Sequence, residues 1–445
     1  MALQSPHILH GALGLSKVEI VSASGIMLRD AQGREIIDAS GGAAVACVGH
    51  GHPKVLEAIR QQMEQVCYVH GMVFTTDALQ KLSECLSESA PDPLNHSLFV
   101  SGGSEAVESG IKLARQYHLE AGEPTRHHII ARKQSYHGNT FGALSASGHK
   151  ARRELYEPML MPFTHVEPCF YYRHAKEGES PEDYAIRAAD SLETEILRLG
   201  PESVAAFIAE TVVGATLGAA TAEPGYFRRV REICDKYGVL LILDEVMSGL
   251  GRTGDRHAFE AEGMVPDLLI LAKSLAGGYQ PFGAVLVSDK VCDALDQGSG
   301  LFQHALTYSG HPVAAAAALA VQRTVAEEGL LENVVVMGDR LKRGLTERFG
   351  DHPSVGDIRG RGLFQAIELV SDRSTKQCFE PQQKVYERIR TAALDHGLMV
   401  YPSHGCADGT RGDHVLLAPP YNVSADEIDL IVEKLAQAVD RGLPQ

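Results

Sequence analysis

Two short apolar runs, each closed by a charge, constrain this chain more than any other feature. In residues 240–278, Leu240, Leu241, Ile242 and Leu243 stop at Asp244 and Glu245, and Leu268, Leu269, Ile270, Leu271 and Ala272 stop at Lys273. Runs of this length, aliphatic on both faces, predict strands buried inside a parallel sheet. An open α/β sheet binds its ligands beyond the carboxyl ends of such strands. Asp244 and Lys273 are therefore predicted at the ligand edge, and each is costly to bury without a partner.

Two readings follow from these residues alone. Asp244 and Lys273 form a structural ion pair, or both touch one cofactor. In the second reading Lys273 is a desolvated amine able to form a Schiff base. Asp244 then keeps a pyridinium nitrogen protonated, as pyridoxal phosphate (PLP) requires of its protein.

At 445 residues the chain predicts two domains rather than one core. A formal charge of −16 argues against nucleic acid and anionic membranes as partners. The eight cysteines form no C-x-x-C pair, which fits free thiols in a reducing, cytoplasmic setting. MALQSPHILHGALG has no basic region followed by a long apolar core, so no secretory leader is expected. The small-apolar run from Val313 to Val321 is too short to span a bilayer and predicts a buried helix.

From about residue 97 strands and helices alternate. Strand patterns at 97–103, 127–135, 205–213, 239–247, 268–274 and 282–288 are separated by helical ones, including 224–238. That alternation predicts a mostly parallel sheet covered by helices. From residue 327 helices stand beside a few separate strands, an α+β pattern. The expected division is a large domain of 61–326 and a small domain of 327–445, with residues 1–60 packing on the small one. Residues 17–40 predict a short hairpin, and Pro53 opens a helix. Ser424-x-x-Glu427 marks the start of the last helix. Residues 164–190 carry the weakest pattern and predict a loose excursion.

Val100-Ser101-Gly102-Gly103-Ser104-Glu105 joins a strand to a helix. Glycines there let the backbone approach an anion at the helix N-terminus; an empty tight turn is the plainer reading. Tyr136-His137-Gly138 follows another strand end, where an aromatic ring can stack on a planar cofactor or simply pack.

Asp244-Glu245-Val246, then Gly249-x-Gly251-Arg252-Thr253-Gly254, then Ala272-Lys273 resembles the signature of the class III PLP-dependent aminotransferases, of fold type I. SGGSEAVESGIKLAR (101–115), YHG (136–138), GHGHP (49–53), TYSGHP (307–312), RGRGLF (359–364) and LLAPP (416–420) also resemble it, in order along the chain. The resemblance implies a seven-stranded-type sheet with a smaller α+β domain built from both termini. It implies that Lys273 is the Schiff-base lysine and the base moving a proton between Cα and C4′. Asp244 would pair with the ring nitrogen, Val246 and Tyr136 (with His137) would flank the ring, and Glu210 would lie near it. Gly103 and Ser104 would bind the phosphate. Thr307 would complete the phosphate site of a neighbouring subunit. A homodimer with shared sites, or a tetramer of such dimers, follows.

Many members carry a carboxylate-binding arginine just before the A-P-P segment; here that position is Leu416. Arg411 lies slightly upstream. It is expected to bind the carboxylate of a 2-oxo acid and to swing away for an amine. The activity implied moves an amino group from an ω-amino acid or amine to a 2-oxo acid such as pyruvate, by a ping-pong cycle. Epimerases, aminomutases and decarboxylases are the alternatives on this fold, with a non-catalytic PLP-binding protein behind them.

The segment 249–254 is formally G-x-G-x-x-G, a dinucleotide fingerprint. Asp244 and Glu245 precede it, where they would repel a pyrophosphate, and a poor helix start follows. Ser147-x-x-Lys150 and Ser109-x-x-Lys112 match S-x-x-K without the accompanying motifs. His50, His52, His127 and His128 lack a metal-ligand spacing with partners.

Overall fold

The computed structural model describes residues 17–444. The segment read above for a secretory leader lies outside them. A seven-stranded sheet dominates. Its strands run His96–Val100, Gly283–Val287, Leu268–Leu271, Leu240–Asp244, Val204–Glu210, His128–Arg132 and Thr164–Val166 across the sheet. Neighbours are parallel except around Gly283–Val287, which is antiparallel to both of its neighbours.

The aliphatic runs explain the burial. Every residue of Val204–Glu210, Leu240–Asp244, Leu268–Leu271 and Gly283–Val287 is buried. Because side chains alternate along a strand, Leu241 and Leu243 join one apolar layer, with Leu192, Phe227 and Val230 of the helices Pro181–Leu199 and Tyr226–Tyr237. Leu240 and Ile242 join the opposite layer, with Val107 and Ala114 of the helix Gly103–Glu120. Truncating any one of these buried aliphatics to Ala costs about 2–5 kcal/mol. The helix Gly103–Glu120 lies close to the sheet because Gly110 has no side chain: a Cβ there would come within 2.9 Å of Ile270 Cδ1.

A second, antiparallel sheet orders Val355–Arg361, Phe364–Leu369, Asp413–Leu417 and Tyr401–His404. A third contains Ile20–Ser24, Met27–Asp30 and Glu35–Asp38, with Leu398–Met399 added in parallel to Glu35–Asp38. The N-terminal strands thus pair with C-terminal chain. They share one core with the helices Leu330–Phe349, Val385–Asp395 and Ala425–Gly442. Ser424 and Glu427 form the reciprocal capping box at the start of the last helix. Pro53 occupies the first turn of Pro53–Gln65. The segment Val313 to Val321 lies in the helix Pro312–Glu327.

Two expectations need correction. Residues 17–40 form three strands with two turns, not a single hairpin. Residues 164–190 are not a loose excursion: Thr164–Val166 is the edge strand of the large sheet, and Pro181–Leu199 is a helix capped by Ser180. Its buried seam is largely Tyr184, Ala185, Ala188, Ala189 and Leu192. Alanines in that seam blunt the apolar periodicity in the sequence.

Candidate active site

The sheet register brings the charged groups together. Asp244 lies beside Glu210 on one neighbouring strand and beside Ile270 on the other. Lys273 follows the strand Leu268–Leu271 in a 3-10 turn, Lys273–Leu275. Its backbone has φ 44°, in the left-handed region. A non-glycine residue held there stores about 1–3 kcal/mol of strain, which persists only where the surroundings enforce it. The carbonyl of Lys273 accepts from the N–H of Gly277 at 2.9 Å.

A cavity of about 550 Å³ opens at this edge. Eight residues named from the sequence line it: Gly103, Ser104, Tyr136, His137, Glu210, Asp244, Val246 and Lys273. Burial pushes the Lys273 amine down to about 8 against the opposing pull of Asp244 and Glu210, and Arg152 and Arg252 push it the same way. With a value of about 8, roughly a tenth of the amine is neutral at pH 7 and about half at pH 8, far more than for an ordinary lysine, as a base needs. Burial raises the Glu210 carboxyl, and Asp244 adds to the rise. Glu210 accepts from the N–H of Tyr136 at 2.9 Å and of Gly214 at 3.0 Å. Asp244 is 4% exposed. One of its oxygens accepts from the Val246 N–H at 2.9 Å; the other sits 2.8 Å from His137 Nδ1. Among the described residues the buried His137 Nε2 has no hydrogen-bond partner.

The turn into the helix Gly103–Glu120 is tied by the Ser101 N–H, which donates to Glu105 Oε2 at 2.8 Å. The first N–H groups of a helix have no partner within it and favour an anion. Ser104 Oγ accepts from the Asn139 N–H at 3.1 Å and keeps its own proton for another acceptor. Gly103 is needed for closeness: a Cβ there would come within 3.2 Å of Val246 Cγ1.

This donor set fits PLP. The helix start and Ser104 suit its phosphate, buried Asp244 with His137 behind it suits its ring nitrogen, and Lys273 suits its aldehyde. Tyr136 and Val246 offer apolar surface to its ring.

Two expected residues lie elsewhere. Thr307 is exposed and lines a different recess, with His70, Met72 and Leu79. Arg411 is exposed, and its Nε donates to Asp408 Oδ2 at 2.7 Å. It does not line the cavity. Asp408 holds its guanidinium, so reaching a carboxylate in the cavity would require the side chain to move.

Sequence reasoning missed three polar cavity residues, Arg152, Gln280 and Tyr401. Tyr401 comes from the second sheet, so chain beyond residue 327 forms part of the wall. It also missed Arg132, fully buried, whose guanidinium donates to the Glu210 carbonyl. A charge ending the strand His128–Arg132 was the available signal for that one.

The glycine fingerprint at 249–254 opens no long helix; the next element is the short 3-10 segment Ala258–Glu262. Its glycines allow close packing instead: a Cβ on Gly251 would meet Leu331 Cδ2 at 2.5 Å. Buried Arg252 donates to the carbonyls of Leu363 and Pro419. The dinucleotide reading therefore lacks its helix.

Residues 12–439 match the family pattern of the class-III aminotransferases. The chain is 49% identical over 421 residues to an uncharacterized aminotransferase of Schizosaccharomyces pombe, C1771.03c, covering 94% of this chain and 92% of that protein. It is 34% identical over 424 residues to a putrescine–pyruvate aminotransferase of Pseudomonas aeruginosa, covering 95% and 90%. Its structure resembles that of the omega transaminase of Pseudomonas jessenii in complex with PMP, with a TM-score of 0.91 at 34% identity, covering 99% and 96%. The chain belongs to the class-III aminotransferases, PLP-dependent enzymes of fold type I. Among the described residues no helix is long and apolar enough to cross a membrane.

Proposed function

We propose that this enzyme transfers an amino group from an amine or ω-amino acid to a 2-oxo acid such as pyruvate, in a ping-pong cycle. One observation carries the reading. Lys273, a strained amine pushed down to about 8, shares a cavity with the Asp244–His137 pair. PLP, when bound, supplies an electron sink for the carbon that loses its proton. Lys273 Nζ in its neutral form accepts the proton from the donor's Cα. Asp244 holds a proton at the cofactor's ring nitrogen, and His137 fixes that carboxylate. Ser104 and the N–H groups after Gly102 bind the phosphate. Tyr136 and Val246 orient the ring. The likeness to a putrescine–pyruvate aminotransferase supports an amine donor and pyruvate as acceptor.

The working form is a homodimer. Met72, Val73 and Phe74 are 65%, 71% and 60% exposed, an apolar patch beside the recess that Thr307 lines. Three adjacent large apolar side chains this exposed suit a protein surface. In such a dimer Thr307 takes the role that the family resemblance implies, at the partner copy's phosphate site. The large unit is 61–326, the small unit 327–445, and 1–60 packs with the small one. The setting is cytoplasmic.

Incubation with PLP, pyruvate and a panel of amines and ω-amino acids tests the function. Alanine formed with at least one donor is the expected result. No alanine with any donor, together with racemised or decarboxylated substrate, would replace this reading with one of the other reactions known on this fold.

A further inference from the structure

The cavity holds one cation that the cofactor does not require. Arg152 lines it with Gln280 and Tyr401, half-buried, its guanidinium carbon 4.4 Å from the centre of the Tyr136 ring. Among the described residues no carboxylate pairs with it. The other arginines nearby are engaged. Arg132 donates to the Glu210 carbonyl, Arg252 to those of Leu363 and Pro419, and Arg153 to those of Leu144, Ser145 and Ser147. Arg359 pairs with Asp357 and Glu368, and Arg411 with Asp408.

The remaining charges of the cavity already have work. Lys273 and Asp244 face the cofactor, and the carboxylate of Glu210 accepts two backbone N–H groups. The phosphate has a helix N-terminus and Ser104. Arg152 and Lys273 line the same cavity, so an anion held at Arg152 shares that space with the reacting atoms. Nearby His149 is pushed down to about 4 by burial, then by Arg152, and so adds no charge at neutral pH.

We infer that Arg152, resting on the Tyr136 ring, is the specificity-determining residue that binds the carboxylate of the 2-oxo acid. A planar guanidinium matches a carboxylate with two parallel hydrogen bonds. Over the Tyr136 ring, at the cavity wall, the guanidinium has no ion pair to break first among the described residues. Arg411, by contrast, must leave Asp408 before it can act. Arg152 therefore selects acceptors bearing a carboxylate next to the keto group. A carboxylate-free amine makes no use of that fork. The inference rests on the aminotransferase reading for the word acceptor, but the anion site stands on its own geometry.

The test uses the holoenzyme and the variants Arg152→Gln, Arg152→Lys and Arg411→Ala. Propionate, an unreactive carboxylate, is titrated against the visible band of each; pyruvate KM and PLP affinity are measured alongside. Arg152→Gln is expected to weaken propionate and raise the pyruvate KM by about ten- to a hundred-fold, as loss of a charge-assisted pair implies. Arg152→Lys keeps the charge but not the fork, and loses less. Arg411→Ala changes propionate binding by less than about twofold, the usual range for an exposed side chain. PLP affinity stays within about threefold in all, since the phosphate has its own donors. Should Arg152→Gln fail to take up PLP, Arg152→Lys decides: undiminished propionate affinity there overturns the inference. Unchanged propionate affinity in Arg152→Gln also overturns it. So does a matching loss of PLP affinity, which would assign the guanidinium to the cofactor's phosphate. A larger loss in Arg411→Ala than in Arg152→Gln overturns it as well. A wild-type enzyme that binds propionate through Arg152 yet forms no alanine would sink the aminotransferase reading alone.

Discussion

Replacing Lys273 by methionine should make the cofactor-free protein more stable, and by an amount that depends on pH. Burial lowers the Lys273 amine from 10.5 to about 8 in the folded chain. A lysine with a folded value below its unfolded one favours the unfolded state wherever it is charged. The penalty is complete below about pH 8 and fades as the pH rises toward 10.5. The difference between the two values corresponds to about 3 kcal/mol at pH 7. By pH 10 it has fallen below about 1 kcal/mol. Methionine fills a similar volume and carries no charge, so Lys273→Met removes the penalty with little repacking. Urea unfolding of the cofactor-free wild type and variant, at pH 7 and pH 10, reads the difference from the midpoints. The variant should be more stable by about 3 kcal/mol at pH 7, with the gap narrowing at pH 10. A variant equal to or weaker than wild type at pH 7 would refute the reasoning. So would a gap that does not narrow. Either would mean that the amine is not desolvated where the structure places it.

Three further outcomes follow from the same geometry. Gly103→Ala forces a Cβ to within 3.2 Å of Val246 Cγ1 and should weaken PLP by about 5- to 100-fold, with partial recovery in Gly103→Ala/Val246→Ala; titration of PLP fluorescence measures both. Asp244→Asn removes the negative charge that His137 orients and should lower kcat by a hundred-fold or more, on the order of other lost electrostatic partners, with a smaller loss of PLP affinity. Val73→Asp places a charge on the exposed patch of Met72 and Phe74 and should shift the mass seen by analytical ultracentrifugation toward one chain, with looser PLP.

The sheet was legible because its strands declare themselves. Leu240–Asp244 and Leu268–Leu271 are aliphatic on both faces, and both are fully buried. Burial on two faces leaves a pattern no half-exposed strand can share. The capping box at Ser424 was equally plain, since it depends on two residues three apart. The helix Asp77–Ser89 went unread although Ala78, Leu82 and Leu86 repeat at helical spacing; three positions are a thin signal. The edge strand Thr164–Val166 is only three residues long, too short for periodicity to register.

The site divided along a similar line. Asp244 and Lys273 were legible because a charge closing an apolar run is visible in one dimension; Glu210, at another strand end, entered only through the family resemblance. Arg152, Gln280 and Tyr401 were not legible. They reach the cavity from a short helix, a turn and another sheet, and only the packed chain puts them side by side. Arg411 is the opposite case. Its position near the A-P-P segment suggested a role, while its ion pair with Asp408, three residues away, was a local alternative that the spacing already allowed.

Borohydride reduction of the holoenzyme, followed by peptide mapping, tests the central claim most directly. The reductant fixes PLP to whichever amine holds it. The account predicts the added mass on the peptide containing Lys273 and on no other lysine. A modified lysine elsewhere, or a protein that binds PLP but gains no covalent mass, would contradict it.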